Sequence, residues 1–198
     1  MKEIYIYGAS GHGLVVADIA RLCGYNKILF IDDGNNEYPS FEDIKNNQHI
    51  PIAFGIGHNN IREKLFHKIK NAGFAPITLI HPSAIISPSV NIGEGSVVMS
   101  YVSINANTNI GYGVILNTAS IIEHENIIES FVHISPKVAL AGNVSIKSNT
   151  HIGIGSNVIQ GLSIGRNCII GAGSTVVKSI QDNTLAYGNP CKIIKELK

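Results

Sequence analysis

From Ile80 onward an aliphatic residue recurs at every sixth position: Ile80, Ile86, Ile92, Val98, Ile104, Ile110, Leu116, Ile122, Ile128, Ile134, Leu140, Ile146, Ile152, Val158, Ile164, Ile170 and Val176. Two places before these stand small or β-branched residues, among them Val90, Ser96, Val102, Thr108, Val114 and Ser120. A helix of 3.6 residues per turn cannot keep a six-residue register on one face. A flat sheet of period two can keep it but gives no reason for it. Short strands with a corner every six residues supply the reason: the aliphatic and the small residue point inward, and the next residues turn. The spacing predicts a hexapeptide parallel β-helix of triangular section, three hexads to a turn, so that residues 18 apart stack in one column. The period says nothing of its hand.

Ahead of this run the pattern alternates differently. "EIYIYG", "KILFIDD" and "PIAFGIG" read as strands, and "LVVADIARLCG" and "NNIREKLFHKIKNAG" as helices. The second helix is expected to start on Asn59 or Asn60 as its N-cap and to stop at Gly73. The polar stretch "GNNEYPSFEDIKNNQHI" reads as a loop with a short helix. Strands alternating with helices predict a small parallel sheet with crossovers. The expected division is a Rossmann-like βαβαβ domain over 1–78 and a β-helix with its tail over 79–198.

The turn after the first strand is "YGASGHG", with glycines at 8, 11 and 13. A glycine loop before a helix lets backbone amides approach phosphate. Its G-x-x-G-x-G spacing departs from the dinucleotide pattern, and the Walker pattern is absent. Asp32 and Asp33 end the second strand where a ribose-binding acid belongs. A single mononucleotide half has room for one nucleoside, so a sugar nucleotide fits better than NAD or ATP.

The histidines raise a separate question. His133 and His151 are 18 apart and are expected to stack, whereas His124 lies in another column. His124 is two residues past the inward Ile122, at a corner, flanked by Glu123 and Glu125. It is either an exposed corner histidine in an acidic turn or a base whose tautomer a carboxylate fixes. Gly142, 18 residues on, is expected beside it, where a bare N–H can approach a carbonyl. A zinc site needs three or four converging ligands, and Cys23, Cys168 and Cys191 are scattered, so no metal is expected.

Composition narrows the classes. The formal charge is +1 with no basic run, which disfavours nucleic acid. No continuous apolar stretch approaches a membrane span, no leader is expected, and sparse cysteines suit a reducing cytoplasm. Outward Val97, Ile115 and Ile121 are more apolar than a lone solenoid wall needs, and are candidates for a seam between copies.

Taken together, "IYIYGASGHG", "FIDD", "NTASIIEHE" and the late "GNP" resemble the bacterial hexapeptide-repeat acetyltransferases of amino sugars and sialic acid, most of all the UDP-4-amino-sugar N-acetyltransferases. That resemblance implies a left-handed β-helix and a homotrimer with active sites at subunit seams. Acetyl-CoA would be the donor and a nucleotide-linked 4-amino sugar, UDP-linked in this likeness, the acceptor. It implies His124 as general base with Glu125, and a coenzyme groove lined by His133, Ile154, Gly155 and Gly173, with Lys192 near a coenzyme phosphate. Ser10, Gly11, His12, Gly13, Asp32, Asp33, Gly57 and Asn117 would hold the substrate. Neighbouring readings are a GDP-linked 4-amino sugar as acceptor, or O-acetylation of sialic acid. A non-catalytic solenoid scaffold has no use for the "HE" pair, and a redox enzyme lacks its second nucleotide half.

Overall fold

The computed structural model describes residues 2–197; the outermost residues of the two expected domains, Met1 and Lys198, lie outside the described residues. The N-terminal module runs β1 (Glu3–Tyr7), α1 (Gly11–Leu22), β2 (Lys27–Ile31), α2 (Phe41–Ile44), β3 (Ile52–Phe54), α3 (Asn59–Asn71). Its three strands are parallel in the order β2-β1-β3. Alternation along β1 splits the module's core. Ile4 and Ile6 join Val16, Ala17, Ile19 and Ala20 of α1, whereas Tyr5 and Tyr7 join Phe66 and Ile69 of α3.

The glycine loop is shaped partly by packing. A side chain on Gly13 would run into the Gly8 carbonyl, and one on Gly55 would lie 2.6 Å from Gly13 Cα. These glycines let α1 and the β3 turn close against each other. Gly11 faces open space instead.

One expected cap is corrected. The N-cap of α3 is His58, without a side-chain capping bond, and Asn59 is the first helical residue. The Asn59 side chain is drawn away to tertiary partners: Nδ2 donates to the Asn149 carbonyl and Oδ1 accepts from Arg62.

Beyond this module, 17 two-residue strands follow at six-residue intervals, from β4 (Leu79–Ile80) to β20 (Thr175–Val176), each ending on the periodic aliphatic. They form three parallel sheets, the faces of a prism, with partners 18 apart, as in Ile115↔His133↔His151↔Ile169. Corner residues such as Ala119, Glu125 and Lys137 adopt φ of 57–61°. Buried hydroxyls zip successive turns: Ser96 Oγ donates to the Gly111 carbonyl and accepts from Val114 N. The first face continues into β21 (Thr184–Tyr187) and an antiparallel edge strand, β22 (Lys192–Glu196).

The first face carries Val97, Ile115, His133 and His151 outward, and the N-terminal module sits upon it. Val97 and Ile115 are each 1% exposed and share a core with Ile4, Val16 and Ile19. The seam expected at Val97 and Ile115 is thus an intrachain contact. Ile121, on the second face, remains exposed. Among the described residues no helix is long and apolar enough to cross a membrane.

Candidate functional site

The expected site residues fall into three groups. The first lies in the crevice between the N-terminal module and the first solenoid face. Ser10 is the N-cap of α1 but makes no side-chain capping bond, and no acid stands in the first turn. The uncapped amides of α1 therefore meet the crevice with favourable partial charge for an anion. His12 follows, its ring centroid 6.3 Å from that of His133, and its buried Nε2 has no partner among the described residues. Burial, reinforced by the charge of Arg62, holds its pKa down to about 4.

His133 stacks on His151 with centroids 4.6 Å apart and planes 9° from parallel. Its Nδ1 lies 3.3 Å from the Gly57 carbonyl and its Nε2 3.2 Å from Asn117 Nδ2. The Asn117 amide orientation is fixed independently, because Oδ1 accepts from Thr118 N at 2.8 Å. Burial, with the charges of His151, Arg62 and His12 behind it, holds His133 near pKa 3, so its ring is neutral. His151, also pushed down by burial, meets Ser135 Oγ at 2.7 Å. His133, expected among coenzyme contacts, is thus grouped with His12, Gly57 and Asn117. Beyond His151 a cleft of about 510 Å³ continues past the α3 N-terminus, bordered by His58, Asn149, Asn167 and Ile169. It does not reach His124.

The two acids of the β2 end are already occupied. Asp32 accepts from the amides of Ala9 (3.0 Å) and Gly34 (2.9 Å) and from Asn36. Asp33 accepts from Tyr7 Oη at 2.6 Å, Lys68 Nζ at 2.7 Å and Phe41 N at 2.9 Å. The donors around each carboxylate outweigh its partial burial and lower its pKa.

The second group stands on the prism edge between the second and third faces. His124 Nδ1 lies 2.9 Å from Glu125 Oε2, and both side chains are exposed. This leaves Nε2 without a partner among the described hydrogen bonds. Gly142 lies under the ring, where an added Cβ would sit 2.6 Å from Cε1 and 2.7 Å from Nε2. Its N–H has no partner among the described hydrogen bonds. The adjacent Glu123 accepts from Asn105 at 2.7 Å and belongs to the same edge.

The third group, Ile154, Gly155 and Gly173, occupies the other border of the second face, and is linked by the bond from Gly173 N to the Ile154 carbonyl. Ile154 is 53% exposed there. Lys192 stands on the exposed β22, at the far end of the first face. Among the described residues no three His, Cys, Asp or Glu gather as a metal site.

Arg62 was not visible in the pattern. An arginine on an amphipathic helix reads as surface, yet this one is 1% exposed and burial pulls its pKa to about 9. Only its place on the apolar side of α3, four residues before Phe66, marked it.

Two family profiles match: the PglD N-terminal domain over residues 3–69 and the bacterial transferase hexapeptide (six repeats) over 143–178. The chain is 29% identical to a GDP-perosamine N-acetyltransferase of Escherichia coli O157:H7, over 96% of this chain and 95% of that one. It is 35% identical to a UDP-N-acetylbacillosamine N-acetyltransferase of Bacillus subtilis (strain 168), over 50% of this chain and 52% of that one. The crystal structure of PerB from Caulobacter crescentus, in complex with CoA and GDP-perosamine, is similar with a TM-score of 0.93 and 36% identity. That match spans 98% of this chain and 97% of PerB. What the chains share is a Rossmann-like module followed by a left-handed parallel β-helix.

Proposed function

The chain belongs to the bacterial hexapeptide-repeat sugar acetyltransferases, a family of acyltransferases, and from that premise we propose that it moves the acetyl group of acetyl-CoA onto the 4-amino group of a nucleotide-linked sugar. The observation that carries this reading is the pair formed by His124 and Glu125 on an open edge, with Gly142 beneath the ring. Glu125 holds the Nδ1–H, so Nε2 keeps its lone pair for a proton. The sugar amine attacks the thioester carbonyl carbon and gives its proton to His124. The C–N bond forms, the C–S bond breaks, and the departing thiolate takes up the proton. The oxyanion formed on the way needs a preorganised donor, the part assigned to Gly142 N–H.

The N-terminal crevice holds the nucleotide in this reading. Diphosphate meets the uncapped amides at Ser10, Gly11, His12 and Gly13, Asp32 borders the nucleoside, and His133 with Asn117 meets the sugar end. Coenzyme runs along Ile154, Gly155 and Gly173 toward Lys192. A boundary at 78/79 and a cytoplasmic setting belong to the same proposal.

The oligomer follows from where these groups stand. Within one chain His124 and Gly142 occupy one border of the second face, whereas Asn117 and the coenzyme group occupy the other. A prism edge cannot fold onto its neighbour. In this reading a complete site takes one border from each of two copies, and a closed ring of three makes three such seams.

The relatives matched over nearly their whole length are named for, or bound to, GDP-perosamine, and the one matched over about half its length is named for a UDP-linked sugar, so the nucleotide is what the assay must read. Acetyl-CoA consumption is followed with UDP-4-amino, GDP-4-amino and sialic acid acceptors side by side. Turnover of a nucleotide 4-amino sugar is expected. Turnover of sialic acid alone replaces N-acetylation with O-acetylation.

A further inference from the structure

Arg62 divides its donors between the two modules, three acceptors in its own and three across the join. Its Nε donates to the Gly113 carbonyl at 2.6 Å. One terminal nitrogen donates to the carbonyls of Ile56 and Gly57, each at 3.1 Å. The other donates to Asn59 Oδ1 at 2.9 Å, to the Phe131 carbonyl at 2.8 Å and, more weakly, to that of Val132 at 3.4 Å. No carboxylate is among these partners. A buried cation without a counter-charge is a costly way to join two surfaces, and an apolar residue of similar volume commonly does so at less cost. The arrangement calls for a role beyond adhesion.

One of its acceptors leads on to the crevice. The Gly57 carbonyl that Arg62 holds is also the partner of His133 Nδ1. On the other side of that ring stands Asn117 Nδ2, a group that only donates, so Nε2 must accept and Nδ1 must carry the proton. We propose that Arg62 is a positioning residue for the sugar-nucleotide crevice: by pinning the Gly57 carbonyl between the two modules it holds His133 as the Nδ1–H tautomer, with Nε2 presented to Asn117. The kinetic part of this rests on the function proposed above; the tautomer does not.

The test uses the full chain. Imidazole ¹⁵N spectra, with the His133 signal assigned by its loss in His133→Gln, read the tautomer. In the unaltered protein the signal belongs to Nδ1–H, and an Nε2–H signal overturns the proposal. Arg62→Lys keeps the charge but lacks the planar fork that spans these carbonyls. In it the His133 signal shifts toward a mixture of tautomers. The KM for the sugar nucleotide rises about tenfold, while kcat and the acetyl-CoA KM stay within about twofold. An unchanged tautomer and unchanged KM in a folded Arg62→Lys overturn the proposal, as does an equal loss for both substrates. Asn59→Ala, which removes a single acceptor of the guanidinium, moves the same readouts in the same direction by less, and decides the matter if Arg62→Lys does not fold. If the unaltered protein acetylates no nucleotide sugar, the function proposal fails while the spectra still judge Arg62.

Discussion

At the scale of single residues the packing of Gly142 against His124 gives the sharpest expectation. Alanine at 142 keeps the backbone N–H and meets no left-handed backbone, but its Cβ needs the space 2.6 Å from the imidazole Cε1. The ring must move. Gly142→Ala is expected to lower kcat about 100-fold, comparable to weakening a general base, with acetyl-CoA affinity and melting temperature nearly unchanged. Steady-state kinetics beside a melting curve checks this, and retention of more than about half the turnover would remove His124 from the chemistry. The adjacent acids are expected to part company. All three bonds to Asp33 come from the protein itself, so Asp33→Ala should cost stability, about 1–2 kcal/mol after allowance for its exposure. Asp32 instead ties the Ala9 amide of the glycine loop, and Asp32→Ala should selectively weaken the sugar nucleotide. Calorimetry with UDP and GDP derivatives separates the two; equal loss of affinity in both variants argues against the division. Sequence order showed where these acids end a strand. It could not show that one of them is consumed by Tyr7 and Lys68, residues 26 and 35 positions away.

At the scale of elements the solenoid was almost entirely legible, because a six-residue period leaves each turn no freedom: every periodic aliphatic from Ile80 to Val176 closes a strand. What the period could not show is which outward residues are covered. Val97 and Ile115 look like Ile121 in the pattern, and only the docking of the N-terminal module distinguishes them. Nor could it show that His12 meets the His133–His151 ladder, since that contact joins distant segments. The ladder has a measurable consequence. His12 and His133 have folded pKa values near 4 and 3, below the ordinary 6.5, and His151 is lowered too. Below pH 6.5 the unfolded chain binds protons that the folded rings refuse, so stability is whole above that pH and falls as pH drops toward 4. Arg62 and His58 beside the ladder repel added charge further. Melting temperature measured from pH 7.5 to 4.5 should decline through this window, and His133→Gln should flatten the decline; an equally steep curve in the variant assigns the acid sensitivity elsewhere. The hexad interior offers a contrasting case. Ser120 is fully buried and its Oγ has no partner among the described residues, unlike Ser96, whose hydroxyl bridges to the next turn. Ser120→Ala should raise stability by about 1 kcal/mol. A loss of that size in a denaturant titration would point to a hydrogen bond the hydroxyl makes.

At the scale of the whole molecule the chain is one structure rather than two beads. A continuous core runs from Ile4 and Val16 through Val97 and Ile115 into the solenoid interior, and Arg62 fastens the other side of the join. The crevice is therefore fixed to the first face, whereas His124 stands on the edge between the second and third. If those halves work together, they do so between copies, and mixing inactive variants tests this directly. His124→Ala lacks the proposed base but keeps an intact crevice; the double variant His12→Ala/Asn117→Ala lacks the crevice groups but keeps the proposed base. Each alone should be nearly inactive. Unfolded together in equal amounts and refolded, they should assemble at random into closed trimers. If, as proposed, each seam draws its base from one copy and its crevice from the next, about a quarter of seams should receive both intact halves. Activity near a quarter of the refolded unaltered protein is expected, with none when the two are mixed after separate refolding. If the base and crevice of one copy served the same reaction, every site would carry one lesion however the chains were mixed. A co-refolded sample as silent as its parents, with trimers verified by light scattering, would place the whole site within a single chain.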